Sequence, residues 1–160
     1  FPEEGRIFGH READLVKEIE TESGADNIGI VVIFRADGAV KNPAIYHTES
    51  GEFTKVGYSD NDFIMSSGQY VIINTYTGKK NAYLLDGVTQ AEIENHKDNY
   101  GVIDWDTVIE KYGTVINEYL DEDGEFIQLQ DGTNTLTYTA DEGTNYLSVS
   151  VYYRISYLGV

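Results

Sequence analysis

LQDGTNTLTYTADEGTNYLSVSVYYRISYLGV, residues 129–160, is the stretch whose pattern decides the fold. In its second half Tyr146, Ser148, Ser150 and Tyr152 alternate with Leu147, Val149, Val151 and Tyr153. A period of two belongs to a half-buried antiparallel strand, because successive side chains leave a strand on opposite faces. The first half is also rich in strand formers, with Leu136, Thr137, Tyr138 and Thr139 in sequence. Asp131-Gly132 and the Asp-Glu-Gly-Thr-Asn cluster at 141–145 supply turn chemistry, since Gly and Asn take positive φ at little cost. The stretch is therefore expected to form a hairpin at the end of the chain.

Upstream, most segments read the same way. Ile30, Val31, Val32, Ile33 and Phe34 form an unbroken apolar run whose β-branched content argues for a strand covered on both faces. Residues 44–48 and 52–56, joined across Glu49-Ser50-Gly51, predict a hairpin with a three-residue turn. Residues 69–75 and 81–85 predict another, across Thr77-Gly78-Lys79-Lys80, whose two lysines read as a solvated turn. Further strands are expected over 114–120 and 125–130, on either side of the acidic turn Asp121-Glu122-Asp123-Gly124. Residues 15–21 fit either a short helix, with Leu15, Val16 and Ile19 on one face, or a strand with Glu18, Glu20 and Glu22 on one side; the strand is preferred because so short a helix is marginal, and alternate glutamates would blunt a sheet edge. Residues 1–14, mixing Pro2, Gly5, Gly9 and charges, read as a linker, and 15–160 as one domain.

Residues 89–112 break the β pattern. Thr89-Gln90-Ala91-Glu92 has the spacing of a capping box, in which hydroxyl and carboxylate satisfy orphan amides at a helix start. Asp104 is placed to cap a second helix, where Trp105, Val108, Ile109 and Tyr112 fall on one face at i, i+3, i+4 and i+7. That stripe predicts a helix docked on a sheet. Its sharper alternative is an exposed aromatic platform of Tyr100, Trp105 and Tyr112. Many short strands with one helical excursion predict a mainly β fold, an antiparallel β-sandwich with jelly-roll-like or galectin-like connections.

Composition narrows the function. With 28 acidic against 11 basic residues, the net charge of −17 repels phosphate backbones and anionic lipid surfaces, so no nucleic-acid partner is expected. No run reaches the roughly 18 apolar residues of a membrane span, and no membrane insertion is expected. There is no cysteine, which removes disulfides and thiolate metal sites and leaves the redox compartment open. The first residue is Phe1 and the only methionine is Met65, so the chain reads as cut from a longer polypeptide.

Reactive constellations are lacking. His10, His47 and His96 sit in separate elements without zinc spacing and read as surface histidines, no Gly-x-Ser-x-Gly elbow or phosphate loop occurs, and no cofactor is expected. A carboxylate pair for glycoside hydrolysis would arise by chance among 28 acids. The acidic turn at 121–125 offers hard oxygen ligands but not the spacing of a calcium loop, and reads as a solvated turn rather than a metal site.

Three blocks of the chain resemble siphophage distal tail proteins. Residues 34–43, FRADGAVKNP, are similar to that family's Phe-x-Ala-x-Gly-x-Val-x-Asn-Pro, and residues 68–80, GQYVIINTYTGKK, to its Gly-x-x-Ile-x-Ile-Asn-Thr-x-x-Gly-x-Lys. The terminal block is similar to its Leu-x-x-Gly-x-Asn-x-Leu-x-Tyr-x-Ala-Asp and closing Tyr-Leu-Gly-Val. Residues 1–9 look like the linker out of the family's N-terminal ring-forming domain, which is absent from this chain. The resemblance implies a galectin-like C-terminal domain at the tail tip or baseplate of a phage or prophage, docking receptor-binding and other tail proteins. It further implies a hexameric full-length protein, with the isolated domain able to stand as a monomer. The segment 89–112 departs from the family, whose members have a shorter connection there. No catalytic residue is carried over.

Two functions follow as expectations. One is a non-enzymatic structural adaptor of the virion tail tip. The other is a carbohydrate-binding module that adheres to a cell-surface glycan through Tyr100, Trp105 and Tyr112. Burial of Trp105 against the sheet is expected for the adaptor, an accessible ring for the lectin-like module.

Overall fold

The computed structural model describes residues 4–10, 16–21 and 27–153, and the fold is mainly β with antiparallel pairing throughout. In chain order the strands are β1 (Glu4–His10), β2 (Val16–Thr21), β3 (Ile30–Ala36), β4 (Val40–Lys41), β5 (Ala44–His47) and β6 (Phe53–Lys55). They continue with β7 (Ile64–Met65), β8 (Tyr70–Asn74) and β9 (Asn81–Leu85), then helices α1 (Gln90–Glu94) and α2 (Trp105–Tyr112). Three strands complete the chain: β10 (Thr114–Val115), β11 (Gly132–Thr139) and β12 (Leu147–Tyr153). A six-stranded sheet in the order β1-β12-β3-β8-β9-β10 faces a four-stranded sheet in the order β2-β11-β5-β6, and β4-β7 form a small ribbon. Among the described residues no helix is long and apolar enough to cross a membrane.

The core follows from the period of two. Ile30, Val32 and Phe34 of β3, Val71 and Ile73 of β8, and Val149 and Val151 of β12 meet Ile45, Leu136 and Tyr138 from the other sheet in one buried cluster. Val31 and Ile33 point the opposite way, into a second cluster with Ile72, Leu85, Ile93, Trp105, Val108 and Ile109. Strand β3 is thus covered on both faces, as its unbroken apolar run predicts. The outer cover is the helical excursion. Strand β2 lies at the edge of its sheet with Glu18 and Glu20 exposed, as their alternation predicts.

Three expectations are corrected. The expected hairpin over 129–160 is an arch: β11 pairs with β2 and β5 in one sheet, while β12 pairs with β1 and β3 in the other. Both strands alternate as expected, but their apolar faces meet across the sandwich rather than side by side. The turn between them contains Gly143 at φ +79°, and a Cβ there would sit 2.0 Å from the Ala39 carbonyl oxygen. Second, part of the expected linker, Glu4–His10, is a strand along the edge of β12, with a register shift between Ile7 and His10. Its glycines and charges hide the period; the pairing comes from the open edge of β12.

Third, of the two strands expected over 114–130 only Thr114–Val115 forms, followed by a 3-10 turn at Asn117–Tyr119. Asn117 ties that turn to β9, its Oδ1 accepting from the Ala82 amide at 2.8 Å and its Nδ2 donating to Asn81 Oδ1 at 2.7 Å. Ile127 and Leu129 are buried without a continuous ladder, held by single contacts such as the Ile28–Leu129 bridge. Residues 1–3 and 11–14 of the expected linker, Leu15, residues 22–26 and the closing Tyr-Leu-Gly-Val at 157–160 lie outside the described residues.

Buried polar side chains peg the strands together. Asn42, at φ +52°, donates from Nδ2 to Asp62 Oδ1 at 2.9 Å and Asp141 Oδ2 at 2.8 Å, while its Oδ1 accepts from the Phe63 amide at 2.8 Å. Thr75 Oγ1 accepts from the Ile30 amide at 2.8 Å and donates to the Ile30 carbonyl at 3.2 Å. Gly57, at φ +106°, leaves the space that Asn42 needs: a Cβ there would lie 1.8 Å from Asn42 Oδ1. Gly57→Ala is therefore expected to destabilise the chain by more than about 2 kcal/mol, through both the backbone conformation and the displaced amide. Chemical denaturation measures it, and a loss under about 0.5 kcal/mol, the scale of a neutral surface change, would contradict the packing described.

Candidate functional site

The helical excursion is built by local signals that the sequence carries openly. Thr89 Oγ1 accepts from the Glu92 amide at 3.1 Å and the Thr89 amide donates to Glu92 Oε1 at 3.3 Å, which closes the expected capping box. At the start of α2, Asp104 Oδ1 accepts from the Thr107 amide at 3.2 Å and its Oδ2 from the Thr107 hydroxyl at 2.8 Å. The Thr107 hydroxyl and amide hold the Asp104 carboxyl below its ordinary value. Between the helices, Asp98 Oδ1 accepts from the amides of Tyr100 and Val102, which shapes a tight loop.

The three aromatic candidates go to different places. Trp105 is 6% exposed and packs on the Tyr152 ring with centroids 5.6 Å apart, inside the outer core cluster. Tyr112 is half-buried, in edge contact with His96 at 5.7 Å and beneath the Lys111 ammonium at 5.5 Å. Tyr100 stands at the loop tip, 82% exposed. Trp105, Val108 and Ile109 form the docking stripe that the helical spacing predicts, and no exposed platform joins the three rings.

Grooves run along both borders of this segment. One of about 360 Å³ is lined by Trp105 and Ile103 together with Asp98, Asp104, Asp106 and Lys79, where Lys79 pairs with Asp106 at 3.0 Å. Another, of about 260 Å³, lies over β3 and β12 and is lined by Trp105, Arg35, Tyr70, Ser148 and Ser150. Away from this segment, Asp60, Asp121, Glu122, Asp123 and Asp141 border a third groove with Lys55. Asp121 Oδ1 there accepts from the Asp123 amide at 2.9 Å, a turn-forming bond. Among the described residues no group of three or more His, Cys, Asp or Glu side chains is arranged to hold a metal ion.

Two polar clusters were not identifiable from spacing. Around Asn42, Lys41 pairs with Glu142 at 3.3 Å and Asp62 at 3.5 Å, and Lys55 with Asp141 at 3.0 Å. The Asn42 amide outweighs partial burial and, with Lys55, holds the Asp141 carboxyl below its ordinary value. The second cluster surrounds His47, which is fully buried and not the surface histidine expected, because Asn134 and Ser50 satisfy both ring nitrogens. Asn134 Nδ2 faces the carbonyls of Ile19, Gln130 and Gly132, so its Oδ1 is the acceptor for the Gln130 amide at 2.7 Å and His47 Nε2 at 2.8 Å. His47 therefore carries its proton on Nε2, and its Nδ1 accepts from the Ser50 hydroxyl at 2.7 Å. Beside it, burial pushes the Glu49 carboxyl up, but the Thr135 amide and hydroxyl, at 2.6 and 2.7 Å, bring it below its ordinary value.

Acid titration follows with a defined sign. Glu49, Asp104 and Asp141 are all lowered in the folded state, so their stabilisation is complete above the unfolded carboxylate values near 4 and is lost as pH falls through the folded values. The stability difference between wild type and Asp141→Asn is thus expected to be largest above about pH 5 and to close towards pH 3. Thermal melts across that range measure it. A gap that stays constant or widens on acidification would contradict the linkage.

No family model matches the chain, and neither does any curated protein or solved structure.

Proposed function

We propose that this chain is the outward-projecting domain of a siphophage-type distal tail protein, a non-enzymatic part of a phage or prophage tail tip that docks receptor-binding and other tail proteins. The observation that carries the reading is the role of the three blocks of resemblance. Each contains a buried polar peg, Asn42, Thr75 or Asn134, so the likeness includes residues that hold the sandwich together. A scaffold without a reactive constellation suits an adaptor, whose work is to hold other proteins, and burial of Trp105 favours the adaptor over a sugar-stacking ring. The jelly-roll or galectin-like connectivity and the hexameric full-length assembly belong to this proposal.

Immunogold labelling of purified phage particles from the source strain tests it: gold at the distal end of the tail is expected, and particles devoid of the chain would overturn the reading. The alternative, a carbohydrate-binding module for host adhesion, is favoured by one feature, the exposed ring of Tyr100 at a shaped loop tip. A glycan array separates the two. Saturable binding lost in Tyr100→Ser would promote adhesion, while no binding across bacterial wall polysaccharides would count against it.

A further inference from the structure

Residues 97–103 form a finger that ends in an aromatic ring. Lys97 and Ile103 bridge at its base, and below them the Asp104 amide donates to the His96 carbonyl at 2.7 Å. Above them the Gly101 amide donates to the Asp98 carbonyl at 3.1 Å and the Asp98 amide to the Val102 carbonyl at 2.7 Å, with Gly101 at φ +78°. This is a tight turn closed by a glycine bulge, and the Asp98 carboxylate ties the amides of Tyr100 and Val102 within it. Trp105, two residues beyond the base, is buried in the outer cluster, so the finger stands on a packed root. At its tip Tyr100 is the most exposed large apolar side chain among the described residues. The turn does not ask for a ring there, since Asn, Asp, Ser and Gly are the residues that such turns use.

We propose that the finger inserts Tyr100 into an apolar pocket, rimmed by lysine or arginine, on another protein of the tail tip; this rests on the adaptor reading above. A ring carried on a turn already fixed in shape loses little conformational freedom on docking, and tyrosine is among the side chains that most often dominate an interface. The charge of the partner follows from that of the helical excursion. Residues 89–112 hold six carboxylates against two lysines, in a chain of net charge −17, and a basic rim complements them. The same charge opposes nucleic acid and anionic lipid. A glycan fits less well, because Tyr100 projects alone while Trp105 is buried and Tyr112 half-buried, so no second ring completes a platform.

Photo-crosslinking in purified phage particles from the source strain tests it. The full chain carries Tyr100→benzoylphenylalanine or, as the control, the same replacement at Asp131, an exposed residue at the start of β11 in the other sheet. Irradiation is expected to join position 100, and not 131, to one other virion protein at a peptide that contains Lys or Arg. Against the purified partner so identified, Tyr100→Ser is expected to weaken binding at least about tenfold, the scale of a hot-spot ring, while melting as the wild type does. If particles contain the chain but no protein is joined from position 100, the finger is overturned and the adaptor reading stands. A partner peptide without basic residues, equal joining from both positions, or unchanged affinity in Tyr100→Ser would overturn it in the same way, and adducts with polysaccharide would overturn it in favour of adhesion. Particles devoid of the chain would overturn both.

Discussion

Replacing Asn134 by alanine lowers stability by about 3–5 kcal/mol, the largest expected loss from a single polar side chain in this protein. The reason is the number of groups that it serves. Removing the amide leaves the buried His47 Nε2–H and the partly buried Gln130 N–H without their acceptor. It also strips one donor from the carbonyls of Ile19, Gln130 and Gly132. Each orphaned donor costs about 1–3 kcal/mol, and the small cavity adds to the total. Thr75→Val, which loses one two-way contact with Ile30, is expected to cost less, about 1–2 kcal/mol. Urea denaturation of both variants gives the comparison; a smaller loss for Asn134→Ala than for Thr75→Val would contradict the hub assigned to Asn134.

Trp105→Ala is expected to cost about 3–5 kcal/mol, as truncation of a buried aromatic ring does. At this chain length the melting temperature falls on the order of 10 °C. The damage should be local. Trp105 belongs to the outer cluster with Ile93, Val108 and Ile109, whereas Phe34, Val149 and Leu136 pack in the inner cluster between the sheets. Hydrogen exchange is therefore expected to speed up over 90–112 while the amides of β3 and β12 stay protected. Uniform loss of protection would show that the two clusters unfold as one. An unchanged exchange pattern would show that the ring does not hold the helices on the sheet.

These two residues also mark how far the sequence could be read. The period of three to four across Trp105, Val108 and Ile109 announced a docked helix, and the Thr89–Glu92 spacing announced its cap, because both are local properties of a few adjacent residues. The double coverage of β3 was equally legible in its unbroken apolar run. Asn134 was visible only as part of a resemblance. Nothing in its spacing says that its amide meets His47, 87 residues away in the chain.

What the sequence determined by itself was most of the elements and their buried faces, though not strand β1 or the irregular path of 117–130: period two for the strands, a capped stripe for α2, glutamates on the β2 edge. Tertiary structure alone decided the partners. The alternation in β11 and β12 is the same whether they pair as a hairpin or face each other as an arch, since a strand's period names its buried side and not its neighbour. The outer groove was decided in the same way. Arg35, Trp105, Ser148 and Ser150 come together only when β12 pairs with β3 and the helices settle over them.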